Sequence, residues 1–121
     1  MNGLDALRRN RLIKKLRSNA IAITTGQIDV HAGYFKMNYL LGRIENIKAL
    51  EDIDLSIFKK YYLEIQFHPI GQERKLYRKD FLERLDRKLK AVDERYSDLL
   101  HEKCLEIIEK YKDIKDLCQG I

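Results

Sequence analysis

An all-α fold is predicted for this chain: one helical domain over residues 1–121, with four helices in a regular or irregular bundle and the last helix the longest. Three observations lead there. Apolar side chains recur at steps of three and four almost from end to end, the period of an amphipathic helix. The only proline is Pro69, so a single position forbids helix continuation in mid-chain. No β-hairpin signal, internal repeat or low-complexity tract is present. At 121 residues and 45% apolar content, the chain is long enough to bury about two-thirds of its unfolded surface.

The first helix is expected from about Leu4 to Thr24. Leu12, Ile13, Leu16, Ala20 and Ile23 form its apolar stripe, and Gly26 suits a left-handed C-terminal cap. Asp29 is a fair N-cap for a second helix, about Val30 to Ala49. Val30, Tyr34, Met37, Leu41 and Ile44 make its main face, while Phe35 and Tyr39 project elsewhere. Gly33 and Gly42 lower helix propensity there and allow close backbone approach. Asp52-Ile53-Asp54 offers a capping site for a third helix, about Leu55 to Gln66, with Ile57, Tyr61 and Ile65 inward.

The break His68-Pro69-Ile70-Gly71 follows. Proline lacks a donor N–H and pushes His68 out of the α region. A fourth helix is expected from Gln72 or Glu73 to about Lys115. Its stripe runs Phe81, Leu85, Leu89, Val92, Tyr96, Leu99, then Leu100, Cys104, Ile107, Tyr111 and Ile114, with one phase shift at Leu99/Leu100. Such a helix is roughly 60 Å long at about 1.5 Å per residue. It must bend near Tyr96-Ser97-Asp98 or project and find a partner. Helices one to three are expected around its N-terminal half, with a core of Tyr34, Met37, Leu41, Ile57, Tyr61, Leu85, Leu89, Val92 and Tyr96.

Charge is unevenly spread within a net +5. Residues 1–20 carry six basic side chains against one acid, and residues 74–90 carry eight against three, while the remaining stretches are weakly acidic. No apolar run is long enough for a membrane span, and the start of the chain lacks the apolar segment of a signal peptide. Cys104 and Cys118 then read as reduced thiols, and a cytoplasmic protein with no membrane partner is expected.

The basic first helix, with Arg8, Arg9, Arg11, Lys14, Lys15 and Arg17, admits several roles. It is a solvated face, a docking face for an acidic protein surface or an anionic lipid face, or a grip on nucleic-acid phosphates. No aromatic residue is interleaved with these cations, against a single-strand stacking platform. Arg74, Lys75, Arg78 and Lys79 open the fourth helix against its macrodipole, and a Glu64–Arg74 contact across the break is expected to compensate. His101-x-x-Cys104, with His31 and His68, is the grouping with metal-ligand chemistry. It lacks the spacing of four converging ligands, and Cys104 fits the apolar stripe. No metal, cofactor or catalytic residue is therefore expected. Glu64, His68, Pro69 and Gly71 are expected to build a structural turn with His68 as its hydrogen-bonding pin. Arg8, Arg11, Lys14, Lys15, Arg74 and Arg78 are the expected partner- or anion-binding surface.

Two stretches carry a resemblance. One is Ile23-Thr24-Thr25-Gly26-Gln27-Ile28-Asp29-Val30 with Gly33 and Leu40-Leu41. The other is Glu64-Ile65-Gln66-Phe67-His68-Pro69-Ile70-Gly71 with Arg74, Glu94-Arg95 and Cys104. Over about residues 20–110 the layout resembles a bacterial family of small all-helical proteins of unknown function. That family tends to place one residue between the histidine and the proline, which here are adjacent. The resemblance implies a helical domain and transfers no catalytic residue. At class level it associates the chain with immunity or accessory proteins encoded beside toxins. The expected function is a non-enzymatic protein-binding module, specifically a toxin-neutralising immunity protein acting by occlusion. The alternative is a small basic nucleic-acid-associated factor, and homodimerisation through the distal half of the last helix is a further expectation.

Overall fold

The computed structural model describes residues 1–69 and 71–114. They form α1 (Gly3–Thr24), α2 (Val30–Ile47), α3 (Ser56–Ile65), a 3-10 segment (Gly71–Leu76) and α4 (Lys79–Lys110). No strand occurs among the described residues, so the predicted all-α class holds. Ile70, Lys115 and Cys118 lie outside them. No helix among the described residues is long and apolar enough to cross a membrane.

Local chemistry sets most boundaries. Asn2 opens α1 by accepting the Asp5 N–H at 2.8 Å, and Gly26 follows it at φ +74. Asp29 caps α2 by accepting the N–H groups of His31 and Ala32 at 3.1 and 3.2 Å. Asp54 takes the N–H and hydroxyl of Ser56 at 3.0 and 2.7 Å. Each satisfies a donor that a helix start leaves without an intrahelical partner.

Two expectations about α4 are corrected. The helix begins at Lys79 rather than at Gln72 or Glu73, because residues 71–76 close into a 3-10 segment and Arg78 is extended. The reason is Arg74, which binds Asp86. Twelve residues along one continuous helix would hold the two about 18 Å apart. The helix then runs without a break through Tyr96-Ser97-Asp98 for 32 residues.

The second correction concerns where the core lies. On α4 the buried residues are Leu100, Cys104 and Ile107, all in the distal half. They meet Leu12, Ile13, Leu16, Ala20 and Ile23 of α1, Tyr34, Met37, Leu40, Leu41 and Ile44 of α2, and Phe58, Tyr61 and Ile65 of α3 in one cluster. Leu89, Val92 and Tyr96 only edge it, as does Ile57, and Leu85 is half-buried. The phase shift in the stripe marks the change of neighbour. Leu99 is 48% exposed and Leu100 1%, where α4 passes from facing α3 to facing α1. The buried residues of the distal half, Leu100, Cys104 and Ile107, are thus used within the chain, while Leu99 and Leu105 stay exposed.

The α1–α2 contact is close at one place. Gly33 is buried, and a Cβ there would run into the side chain of Ile23. Beside it the buried Asn19 side-chain amide donates to the Gly33 carbonyl at 2.9 Å. Gly42, by contrast, faces open space, so the expected close approach belongs to Gly33 alone.

Gly33→Ala should therefore destabilise the fold. Overpacking costs about 1–3 kcal/mol against a gain in helix propensity of up to about 1 kcal/mol. Gly42→Ala should stabilise by about 0.5–1 kcal/mol, and urea unfolding of both variants reads the opposite signs. Cys104 is fully buried, and burial pushes its thiol up to about 12. In a Cys118→Ser background it should stay unreactive to a disulfide reagent near neutral pH until denaturant is added. Rapid labelling of the folded protein would contradict this burial.

Candidate functional site

The first-helix cations divide by role once α1 is packed. Arg9 turns inward and donates to the carbonyls of Lys48 and Ala49 at 2.8 and 3.1 Å, just past the end of α2. Arg17 donates to the Ile108 carbonyl at 2.9 Å, near the end of α4. Both place positive charge where a helix dipole ends negative and satisfy carbonyls left without helical donors. Lys14 is half-buried and does not join the others.

Arg8, Arg11 and Lys15 remain on one exposed face of α1, at helical steps of three and four. The turn at residues 25–29 folds α2 back antiparallel to α1, which brings Arg43, Asn46 and Ile47 opposite them. The result is a groove of about 370 Å³ floored by Leu12 and Ile47. Its lining holds four cationic side chains and no carboxylate, imidazole, thiol or hydroxyl. The Arg43 guanidinium lies 5.8 Å from the ring centroid of Tyr39, which is 60% exposed. Guanidinium forks grip carboxylates or phosphates through paired N–H donors. The chemistry available is thus binding of anions, with side-chain selectivity from a small apolar floor.

The second basic segment lies elsewhere. Arg78 stands about 45 Å along α4 from Ile108 at about 1.5 Å per residue, whereas Arg17 of α1 reaches Ile108. The basic segments therefore do not merge into one surface. Arg78 itself is 87% exposed, 3.5 Å from Asp80.

Around the proline break the side chains interlock. Arg74 makes a two-pronged contact with Asp86, at 2.9 Å to Oδ1 and 2.8 Å to Oδ2, and donates to the Pro69 carbonyl at 3.3 Å. Nε2 of His68, whose side chain is 8% exposed, lies 3.2 Å from Asp86 Oδ1. Pro69 is buried, and Gly71 takes φ +64. Glu64 is not Arg74's partner. It pairs with Arg95 at 2.9 Å, because α3 runs beside the middle of α4 while the 3-10 segment carries Arg74 further toward its start. Arg74 is accordingly engaged inside the turn rather than held out to a partner.

A third group went unseen in the sequence. Asp93 accepts the Tyr61 hydroxyl at 2.6 Å and lies 2.8 Å from His31 Nε2, tying α2, α3 and α4 together. Burial, then the Asp93 carboxylate, pushes the Tyr61 hydroxyl well above the ordinary tyrosine range, so this phenol serves as a donor and not as a nucleophile. Among the described residues no three His, Cys, Asp or Glu side chains gather as metal ligands do. Comparison of the chain with family models, with curated proteins and with solved structures returns no match.

Hydrogen bonds from Arg74, with a further contribution from His68, hold the Asp86 carboxyl down at about 2. A depressed carboxylate adds stability above its unfolded pKa and loses it as pH falls through the folded value. The contribution is full above about pH 4 and fades toward about pH 2. The stability gap between wild type and Asp86→Asn should narrow over that interval, as followed by thermal melts. A gap that stays constant would show that Asp86 does not carry this charge-dependent contact.

Proposed function

We propose that this protein is a non-enzymatic binding module that recognises an acidic surface on another protein through the α1–α2 groove. One observation carries the reading. Arg8, Arg11, Lys15 and Arg43, contributed by two helices, line a single groove whose lining has no carboxylate. The field of four close cations draws an acidic partner in and orients it. The guanidinium groups then take carboxylates in pairs, and the rigid helix pair occludes whatever that surface does.

The specific form of the proposal is a toxin-neutralising immunity protein of the bacterial cytoplasm, in line with the family that the turn segments resemble. A cationic inhibitor suits a toxin with an acidic working face. It does not suit a nuclease, whose substrate cleft must itself be basic to hold phosphates. The groove also lacks a nucleophile or an acid–base pair among its lining residues, which favours binding over catalysis.

The test uses the intact protein with three labelled probes: an aspartate- and glutamate-rich peptide, a single-stranded RNA and a DNA duplex, followed by fluorescence anisotropy. The peptide should bind, and Arg11→Glu with Arg43→Glu should weaken it by at least about tenfold with the helical circular dichroism unchanged. Either nucleic acid binding more tightly than the peptide, with the steep salt dependence of phosphate contacts, would move the assignment to a nucleic-acid factor. Absence of binding to all three probes would remove the groove as a docking site. Co-purification with the product of an adjacent toxin gene, lost in the same double variant, tests the immunity role itself.

A further inference from the structure

The end of the molecule farthest from the groove carries a different surface. Phe67 is 89% exposed and Leu76 83%, with Tyr77 at 43% and Phe81 at 38%. The rings of Tyr77 and Phe81 stack with centroids 5.6 Å apart, and the Arg84 guanidinium lies 5.8 Å from the Phe81 centroid. Leu76, Tyr77, Arg78, Asp80, Phe81 and Arg84 surround one shallow recess. Phe67 lines the next, with Leu85 and Lys88 among its neighbours. Phe81, Leu85 and Lys88 follow one another at steps of four and three, so the two recesses adjoin along one face of α4.

Among the described residues the core does not take up these side chains, because it lies against the distal half of α4. Their setting is strongly cationic, with eight basic residues against three acids over residues 74–90. Of those acids, Asp86 is held by Arg74 and Asp80 lies beside Arg78. Phe67, Leu76, Tyr77 and Phe81 together with Arg78, Arg84 and Lys88 therefore form an apolar and aromatic tip ringed by positive charge.

We propose that this tip docks on an anionic lipid bilayer surface. Phe67 and Leu76 enter the boundary between headgroups and acyl chains, Tyr77 sits at headgroup level, and the cations meet lipid phosphates. One observation chooses a bilayer over a folded partner, and a second chooses the kind of lipid. Phe67 and Leu76 are almost fully exposed and so protrude, whereas anchors at protein interfaces sit in walled, desolvated pockets. A fluid bilayer closes around a protrusion and needs no matching shape. The sign of the charge then selects anionic lipid. The expectation of no membrane partner came from the lack of a spanning segment, which surface docking does not require.

The experiment is co-sedimentation of the full chain with phosphatidylcholine vesicles and with vesicles of equal phosphatidylcholine and phosphatidylglycerol. The protein should pellet with the mixed vesicles, be released by high salt, and remain soluble with phosphatidylcholine alone. Phe67→Ser with Leu76→Ser should cut binding by at least about tenfold through lost apolar transfer. Both positions are exposed, so circular dichroism should not change. Arg78→Glu with Arg84→Glu should abolish binding, whereas Arg11→Glu with Arg43→Glu in the groove should leave it intact. That last variant separates this proposal from the groove's function. Three results overturn it: no pelleting with anionic vesicles, pelleting indifferent to Phe67 and Leu76, or concentration-dependent self-association through those residues without vesicle binding.

Discussion

The seating of α2 on α1 at Gly33 governs the rest of the molecule. A side chain at that position would collide with Ile23, so glycine sets how near the two helix axes come. The Asn19 amide, otherwise an expensive group to bury, is satisfied by the Gly33 carbonyl at the same spot. From this contact the antiparallel pair is fixed in register. The buried faces of α1 and α2 then present one apolar surface, on which the distal half of α4 and the α3 side chains Phe58, Tyr61 and Ile65 pack. The groove of Arg8, Arg11, Lys15 and Arg43 is the outer side of the same register.

Charge in this protein does two jobs that look identical in one dimension. Arg9, Arg17 and Arg74 are used internally: two cover the carbonyls at helix ends, and the third locks the proline turn through Asp86. Arg8 and Lys75, the cations adjacent in sequence to Arg9 and Arg74, are exposed. Helical geometry makes the difference, since adjacent residues lie about 100° apart around the axis. The cations not used in this way lie toward two separate ends of α4.

Hydrogen bonds accepted by Asp86 and Asp93 hold α4 to its surroundings where apolar contact is thin. Leu85, Leu89, Val92 and Tyr96 are only half-buried, so hydrophobic burial alone holds this half of α4 weakly. Asp93 binds Tyr61 and lies against His31, and Asp86 binds Arg74 and lies against His68. These contacts orient α3 and the turn on α4, and they leave the tip beyond Asp86 presented to solvent.

Periodicity and punctuation were enough to define the helical class, the cap at Asp29, the turn at Gly26 and the interruption at Pro69, while at the start of α3 Leu55 holds the N-cap position and Asp54, one residue before it, accepts from Ser56. All of these depend on residues within a few positions of each other, so local chemistry decides them. What lay beyond reach were the contacts between distant segments. A single Asp at 86 gives no sign that it draws Arg74 back and delays α4 until Lys79. Residue 43 becomes part of a cationic groove only when α2 folds onto α1. The long stripe of α4 is apolar over its whole length, and no local feature tells which half meets α1. Side-chain spacing specifies the face of a helix that is buried. Which helix buries it, and which charges are consumed in doing so, depends on packing geometry that exists only in three dimensions.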